Sequence, residues 1–209
     1  EGIRMTETDR PKVAWVTGAG KGIGRALALR LARQGHAVAA SARSEQDLIS
    51  LEQVASGGRI TGFPLDINLS GTLNCLAPVM ARFMARGAGQ IAVVASLAGY
   101  RGLPGAAAYG ASKAGLINLC EALRPELAAA GVDLRLINPG FVKTPLTDKN
   151  DFPMPFLIDV EEAVDRIIDG LRGDSFEIAF PRRFALLMKL LRLLPDRLFF
   201  AVTRRMLRK

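Results

Sequence analysis

Histidine is nearly missing from this chain: His36 stands alone among 209 residues, at what reads as a turn into a strand. A His-ligated metal centre and a His-dependent nucleophilic triad are therefore not expected, and no metal is. Cysteine is almost as scarce. Cys75 and Cys120 lie in apolar, helical-looking surroundings without a CxxC pattern, which predicts buried thiols in a reducing compartment rather than a disulfide or a metal site. The first ten residues are polar and carry no apolar run of leader length, and no later stretch offers about twenty uninterrupted apolar residues. Neither secretion nor a membrane span is expected, and the expected location is cytoplasmic. Acid is what the last thirty residues lack. From Phe180 to Lys209 there are nine bases and one acid, Asp196, whereas the remainder of the chain carries nineteen of each. The net charge of +8 thus resides in the tail.

What is present is enough for one well-buried domain, at 22.4 kDa with 49% apolar residues. Lys12 to Thr17 is a short run of β-formers that stops at Gly18-Ala19-Gly20-Lys21-Gly22-Ile23-Gly24. A helical pattern follows at once, with Ile23, Leu27 and Leu31 four residues apart and Gly35 as its stop. Strand, glycine loop and helix is the context that a phosphate-binding turn requires. Gly18 permits the tight turn, Gly22 and Gly24 let backbone and helix approach closely, and the helix N-terminus offers unpaired N–H donors. A second strand, Ala37 to Ala40, leads into Ser41-Ala42-Arg43-Ser44, where no acid is available to hold ribose hydroxyls. Arg43 and Lys21 put two cations where a 2′-phosphate would lie, which points to NADP(H) over NAD(H); the alternative is two solvated surface charges.

A helix is expected from Ser44 to Ala55, a third strand from Arg59 to Leu65 running into Asp66-Ile67, and a helix from Asn68, so that strand end and helix abut. Gln90 to Ser96 is an almost continuous apolar run, as for a parallel strand buried on both faces, and it places the Ser96 hydroxyl at a strand's carboxyl end, where open parallel sheets bind their ligands. Tyr109 to Ala130 is expected as a long helix through Pro125. Tyr109 and Lys113, four apart, share one face of it, and an ammonium beside a phenol favours the phenolate. Val132 to Ile137 is the next strand, ending in Asn138-Pro139-Gly140. A proline-broken apolar loop from Pro145 to Asp159 reads as a lid over a hydrophobic pocket. Asp159 with Glu162 resembles a capping box opening a helix to about Leu171, and Phe176 to Phe180 is a last strand.

The tail holds FALLMKLLRLL, Phe184 to Leu194, then Pro195 and a second segment with Phe199, Phe200 and Val202. Eleven residues are too few to span a bilayer. Two readings stand: the segment lies in a membrane interface with its basic residues toward anionic headgroups, or it packs on the body or on a second subunit and roofs the substrate pocket. Nucleic acid is not the expected partner, because the cations alternate with bulky aliphatics rather than with polar groups and stacking aromatics.

Thr17-Gly18 with Gly22-Ile23-Gly24, Ser96 thirteen residues before Tyr109, Lys113, and Asn138-Pro139-Gly140 with Thr144 together resemble the classical short-chain dehydrogenase/reductases. The resemblance spans Lys12 to about Thr147. It implies a single-domain doubly wound parallel α/β (Rossmann) fold over residues 1–181, followed by the tail, 182–209, as a basic helical extension. It implies an NAD(P)-dependent oxidoreductase, here with NADP(H) preferred, moving hydride between nicotinamide and a carbonyl or secondary alcohol, and a homo-oligomer. By that resemblance Tyr109 is the general acid, Lys113 lowers its pKa and holds nicotinamide-ribose hydroxyls, Ser96 positions the substrate oxygen, and Asn68 anchors a water in the proton relay. Gly18, Gly22, Ile23 and Gly24 would form the pyrophosphate loop, Lys21 and Arg43 would hold the ribose phosphate, and Asp66 with Ile67 the adenine. Pro139, Gly140, Val142 and Thr144 would clasp the nicotinamide. The alternative of another class is a non-catalytic NADP-binding sensor or scaffold, docked to a membrane or partner through the tail. One departure accompanies the resemblance. Between the positions of Asp66 and Asn68 the family carries a helix, the Asn-Asn-Ala-Gly strand and a connection, and all of it is absent here. A parallel crossover needs a dozen residues or more, so Ile67 and Asn68 are not expected to be neighbours in the intact polypeptide.

Overall fold

In the computed structural model, the described residues are 13–55, 59–64, 69–145, 147–149 and 152–206. They form six parallel strands and seven α-helices: β1 (Val13–Thr17), α1 (Gly22–Arg33), β2 (Ala37–Ala42), α2 (Glu45–Val54), β3 (Ile60–Pro64), α3 (Leu69–Arg86), β4 (Gly89–Val94), α4 (Ala107–Ala129), β5 (Val132–Pro139), α5 (Val160–Arg172), β6 (Glu177–Phe180), α6 (Arg182–Leu193) and α7 (Asp196–Arg204). Strand and helix alternate along the chain, the pattern of a parallel α/β fold. The strands divide into two sheets, β1-β2-β3 and β4-β5-β6, every pair parallel. The chain correspondingly separates into two compact units, residues 1–67 with 143–149, and residues 68–142 with 150–209.

In the first unit, apolar residues of α1 and α2 pack on a sheet of small side chains. Leu27, Ala28, Leu48 and Leu51 are buried with Val38, Ala40 and Ile60. The Ser44 hydroxyl caps α2 by accepting from the Asp47 N–H at 3.2 Å, and Glu45 and Asp47 suit the positive end of that helix. Arg25 of α1 reaches across to donate to the carbonyls of Asp47 and Ser50, fixing α1 against α2. β2 runs two residues beyond its expected end, because Ser41 and Ala42 keep their register opposite Phe63 and Pro64 of β3.

In the second unit the core joins Ile91, Val93 and Ala95 of β4 and its extension to Leu116, Ile117, Cys120 and Leu127 of α4, and to Val132, Leu134 and Leu136 of β5. Burial pushes the Cys120 thiol up to about 12, with Glu121 adding to the effect, so it is an inert packing group. Ala185 and Met188 of α6 belong to the same core.

Two local expectations are corrected. β4 is not buried on both faces: Ile91 and Val93 point inward, whereas Gln90, Ala92 and Val94 are exposed, because no layer among the described residues covers that side. Asp159 takes the N-cap position of α5 but its side chain makes no capping hydrogen bond, and Glu162 turns outward to pair with Arg166 one turn on. α4 also begins two residues earlier than expected, at Ala107, which puts Tyr109 in its first turn. β1 and β4 are outer strands of their sheets, and Val13 of β1 is 79% exposed.

The tail has an anchored side. Arg101 donates to the carbonyls of Arg192 and Leu194 at 3.0 and 2.5 Å, at the C-terminal end of α6 where carbonyls lack helical partners. It also bonds Asp196 at 2.6 Å and lies 3.9 Å over the Phe199 ring. One guanidinium therefore holds both tail helices.

Candidate active site

In the first unit, the glycine loop is shaped by backbone that side chains would block. Gly18 and Gly22 lie at φ +67° and +55°, in the left-handed region. A Cβ at Gly24 would stand 2.3 Å from the Gly18 carbonyl oxygen, so helix and loop are in direct backbone contact. The loop is pinned to β2 by the Ala19 N–H, which donates to the Ser41 carbonyl at 2.9 Å. Among the described residues no side chain caps the N-terminus of α1, and its first turn carries no acid, leaving its N–H donors and positive dipole end for an anion. This cradle fits a dinucleotide pyrophosphate. Ile23 follows Gly22 in the first turn of α1, and Thr144 packs on Gly22, its methyl 3.0 Å from where a Cβ would be. Arg43 is exposed directly after β2, and Lys21 forms a 3.3 Å ion pair with Asp47. A phosphate at Lys21 would compete with that carboxylate.

In the second unit, Ser96 follows β4 and opens a short 3-10 turn, Leu97–Gly99. Its buried hydroxyl accepts from the Ala98 N–H at 3.2 Å and donates weakly to the Pro139 carbonyl at 3.4 Å. A bond that long leaves the proton free to turn toward a better acceptor. The turn nests on the start of α4. A Cβ at Gly99 would come within 2.8 Å of the Lys113 backbone carbon, and one at Gly110 within 3.2 Å of the Ala98 carbonyl oxygen. Ser96 is thus held against the helix turns that carry Tyr109 and Lys113.

Lys113 donates to the Val94 carbonyl at 3.1 Å, at the end of β4, and its ammonium lies 5.8 Å from the centroid of the Tyr109 ring. Burial pushes the Lys113 ammonium below the usual lysine value. Tyr109 is half-exposed, so its phenol is open to a ligand. On the far side of Ser96, a Cβ at Gly140 would meet Phe184 at 2.8 Å and Leu97 at 3.3 Å. Val142 is buried and bridges to Ile158. Around Gly140 the rings of Phe141, Phe152, Phe156 and Phe184 form an edge-to-face and stacked cluster with centroids 5.7–5.9 Å apart. Phe156 sits at φ +59°, a strained conformation for a bulky residue. Phe152 and Phe156, from the stretch expected as a lid, belong to this aromatic cluster. Asp66, Ile67 and Asn68 lie outside the described residues.

The sequence reading missed a polar hub beside this site. Glu177 of β6 accepts from the Tyr100 hydroxyl, from the Asn138 amide at 2.6 Å and from the Lys189 ammonium of α6 at 2.5 Å. Asn138 is fully buried and its own amide oxygen has no hydrogen-bond partner among the described residues. Tyr100 ends the turn that begins at Ser96, so the hub ties that turn to the last strand and the tail. An acid inside a four-residue strand was the one available signal, and its partners are distant in sequence.

Among the described residues there is no cluster of three or more potential metal ligands, and no helix long and apolar enough to cross a membrane. A parallel α/β unit with a glycine cradle, and a second with Ser, Tyr and Lys gathered at one strand end, define the class of nicotinamide-dependent oxidoreductases. The chain belongs to the short-chain dehydrogenase family: the family model, described as short chain dehydrogenase, matches residues 12–67 and 64–153. An uncharacterized oxidoreductase of Myxococcus xanthus is 34% identical over 247 aligned positions, covering 93% of this chain and 97% of that one. Among solved structures, a short chain dehydrogenase of Burkholderia cenocepacia in complex with NADP superposes with a TM-score of 0.77 at 24% identity, covering 96% of this chain and 99% of that one. A short chain dehydrogenase/reductase of Burkholderia phymatum in complex with NAD gives 0.73 at 20% identity, covering 89% and 94%. The fold is that of these enzymes, and the chain is an NAD(P)-dependent oxidoreductase of this family.

Glu177 generates a pH dependence. Burial alone would raise its pKa, but the bonds from Lys189, Tyr100 and Asn138 outweigh that and hold it below the usual carboxylate range. The stability it contributes is complete above about pH 4.3, the ordinary glutamate value, and is lost as pH falls through its lower folded value. Asp133, held low in the same way by Gln90, Arg124 and Arg135 against its own burial, acts with the same sign. Urea midpoints measured from pH 6 down to pH 3 should fall more steeply for the native protein than for Glu177→Gln. Equal slopes would exclude the hub as a source of acid sensitivity.

Proposed function

We propose that the protein is an NADP(H)-dependent oxidoreductase for a carbonyl or secondary alcohol of an apolar substrate. The observation that carries the reading is the nesting of the Ser96 turn on α4, where Gly99 meets the Lys113 backbone and Gly110 the Ala98 carbonyl. A bound nicotinamide dinucleotide supplies hydride to the carbonyl carbon, or takes it in reverse. Ser96 turns its weakly held hydroxyl proton from Pro139 to the substrate oxygen and orients it. Tyr109 gives its phenolic proton to that oxygen, and takes one in the alcohol direction. The Lys113 ammonium stabilises the phenolate left behind and takes the ribose hydroxyls, a role supported by its hydrogen bond to the Val94 carbonyl at the end of β4. Pro139, Gly140, Val142 and Thr144 clasp the nicotinamide end, and Asp66, Ile67 and Asn68 take the adenine and relay roles that the family resemblance implies. The wall of Phe141, Phe152, Phe156 and Phe184 supports an apolar substrate, and a homo-oligomer is the working assembly.

The reading includes a longer polypeptide, with a segment of roughly fifty residues between Ile67 and Asn68. Its supports are the break of the family match at residues 64–67, and an alignment of 247 positions against 93% of 209 residues, or about 194, which leaves about fifty-three positions of the relative unmatched. An intact mass of about 22.4 kDa for the natural protein would overturn this part of the reading.

Tyr109→Phe removes the proton donor but little contact area. It is expected to lower NADPH-linked turnover by about 10²- to 10⁴-fold, with NADPH affinity nearly intact by fluorescence titration. Unchanged turnover would refute the role of Tyr109. An absence of turnover in the native protein across carbonyls and alcohols of graded chain length, with NADPH still bound, would favour the sensor or scaffold alternative. For the cofactor, loss of a charge-assisted pair at Arg43→Asp should weaken NADPH by about ten- to a hundredfold relative to NADH. Equal loss for both would assign Arg43 no phosphate.

A further inference from the structure

The buried side of α6 leaves its other side without a partner. Ala185 and Met188 enter the core, Lys189 is bonded to Glu177, and Arg101 holds the helix end, so the helix cannot roll to hide the remaining residues. At about 100° per residue, Leu193, Leu186, Leu190 and Leu187 fall within one arc of about 120° on the outer side. Their exposures are 78%, 60%, 54% and 52%. Leu198 and Phe200 of α7 are exposed as well. Removing a leucine side chain from water is favourable, so an arc of four left in solvent marks an interaction surface rather than scattered exposure.

We propose that this leucine face of α6 docks the protein on an anionic lipid surface, with the helix lying in the interface. Charge selects this occupant. Arg182 and Arg183 stand at the start of α6, Arg192 near its end, and Arg197, Arg204 and Arg205 on and just after α7, all exposed and without an ion pair among the described residues. The one acid of the tail, Asp196, is already bonded to Arg101. An isologous pairing with a second copy would bring the same cations face to face, with Asp196 the one acid among them on each copy. Phosphate headgroups offset them directly, while arginine stems lie along the apolar boundary and their heads reach the headgroups. Twelve residues make a helix about 18 Å long, which can lie on a bilayer but not cross it. The inference stands apart from the reaction assigned above.

Because α6 and α7 contribute Met188 and Phe199 to the interior, the test uses the full chain with surface substitutions rather than a truncation. Cosedimentation would be measured with vesicles of phosphatidylcholine alone and of phosphatidylcholine with phosphatidylglycerol, at low and high salt. Binding is expected with phosphatidylglycerol, about tenfold or more weaker without it, and weakened by salt as the screening length falls from about 8 Å to about 3 Å. The triple variant L186Q/L190Q/L193Q, and separately R182E/R183E, should each lose at least about tenfold in vesicle affinity. Absence of binding by the native protein overturns the proposal, as does native-like binding by the leucine variant. If the leucine variant instead dissociates an oligomer in size-exclusion chromatography and leaves vesicle binding unchanged, the face belongs to a second copy.

Discussion

The approach of the Gly99 backbone to that of Lys113 is the contact on which the chemistry rests. Any side chain at position 99 would place a carbon 2.8 Å from the Lys113 backbone, and the turn from Ser96 to Tyr100 would have to lift off α4. With glycine there, a hydroxyl leaving β4 and a phenol and an ammonium on α4 are gathered by packing alone. Lys113 ties the same helix to the end of β4 through the Val94 carbonyl, so its charge is held by the strand that delivers the serine. A corresponding constraint forms the other unit, where backbone contact between Gly24 and Gly18 keeps the N-terminus of α1 open for an anion.

The second organising group is the Glu177 carboxylate. Carboxylates drawn out of water are costly unless partnered, and this half-buried one takes donors from three directions: the end of the Ser96 turn, the end of β5 and the tail. It converts the tail from an appendage into part of the site's scaffold, and Arg101, the neighbour of Tyr100, does the same from the other side of the chain. The two readings of the tail are therefore not exclusive. One side of α6 packs on the body and contributes Phe184 to the aromatic wall, and the other carries the leucines and arginines outward.

Local signals gave the elements well. Every expected strand and helix among the described residues exists, with boundaries moved by a few residues, as at α4 and at β2, where pairing with β3 extends the strand. Ser96, Tyr109 and Lys113, the proposed catalytic residues, were legible because each sits just past a strand end or on a helix turn that periodicity already located. What was illegible involved partners far apart in the chain. The Glu177 hub joins residues 100, 138, 177 and 189, and no spacing rule links them. The capping box at Asp159 failed for the opposite reason. The pattern was local and correct in type, but Glu162 found a better partner in Arg166 on its own exposed face.

The chain order of apolar runs, glycines and charges was enough to specify the parallel α/β class, the glycine cradle, the Ser96, Tyr109 and Lys113 set and the excess of positive charge in the tail, because each depends on residues within a turn or a strand of one another. Tertiary structure decided which side of each element faces inward. It exposed one face of β4, turned Ala185 and Met188 into the core and Leu186, Leu187, Leu190 and Leu193 out of it, and brought Glu177 to its three donors. Burial is a property of what packs against a residue, and periodicity names the faces of a helix without naming their neighbours.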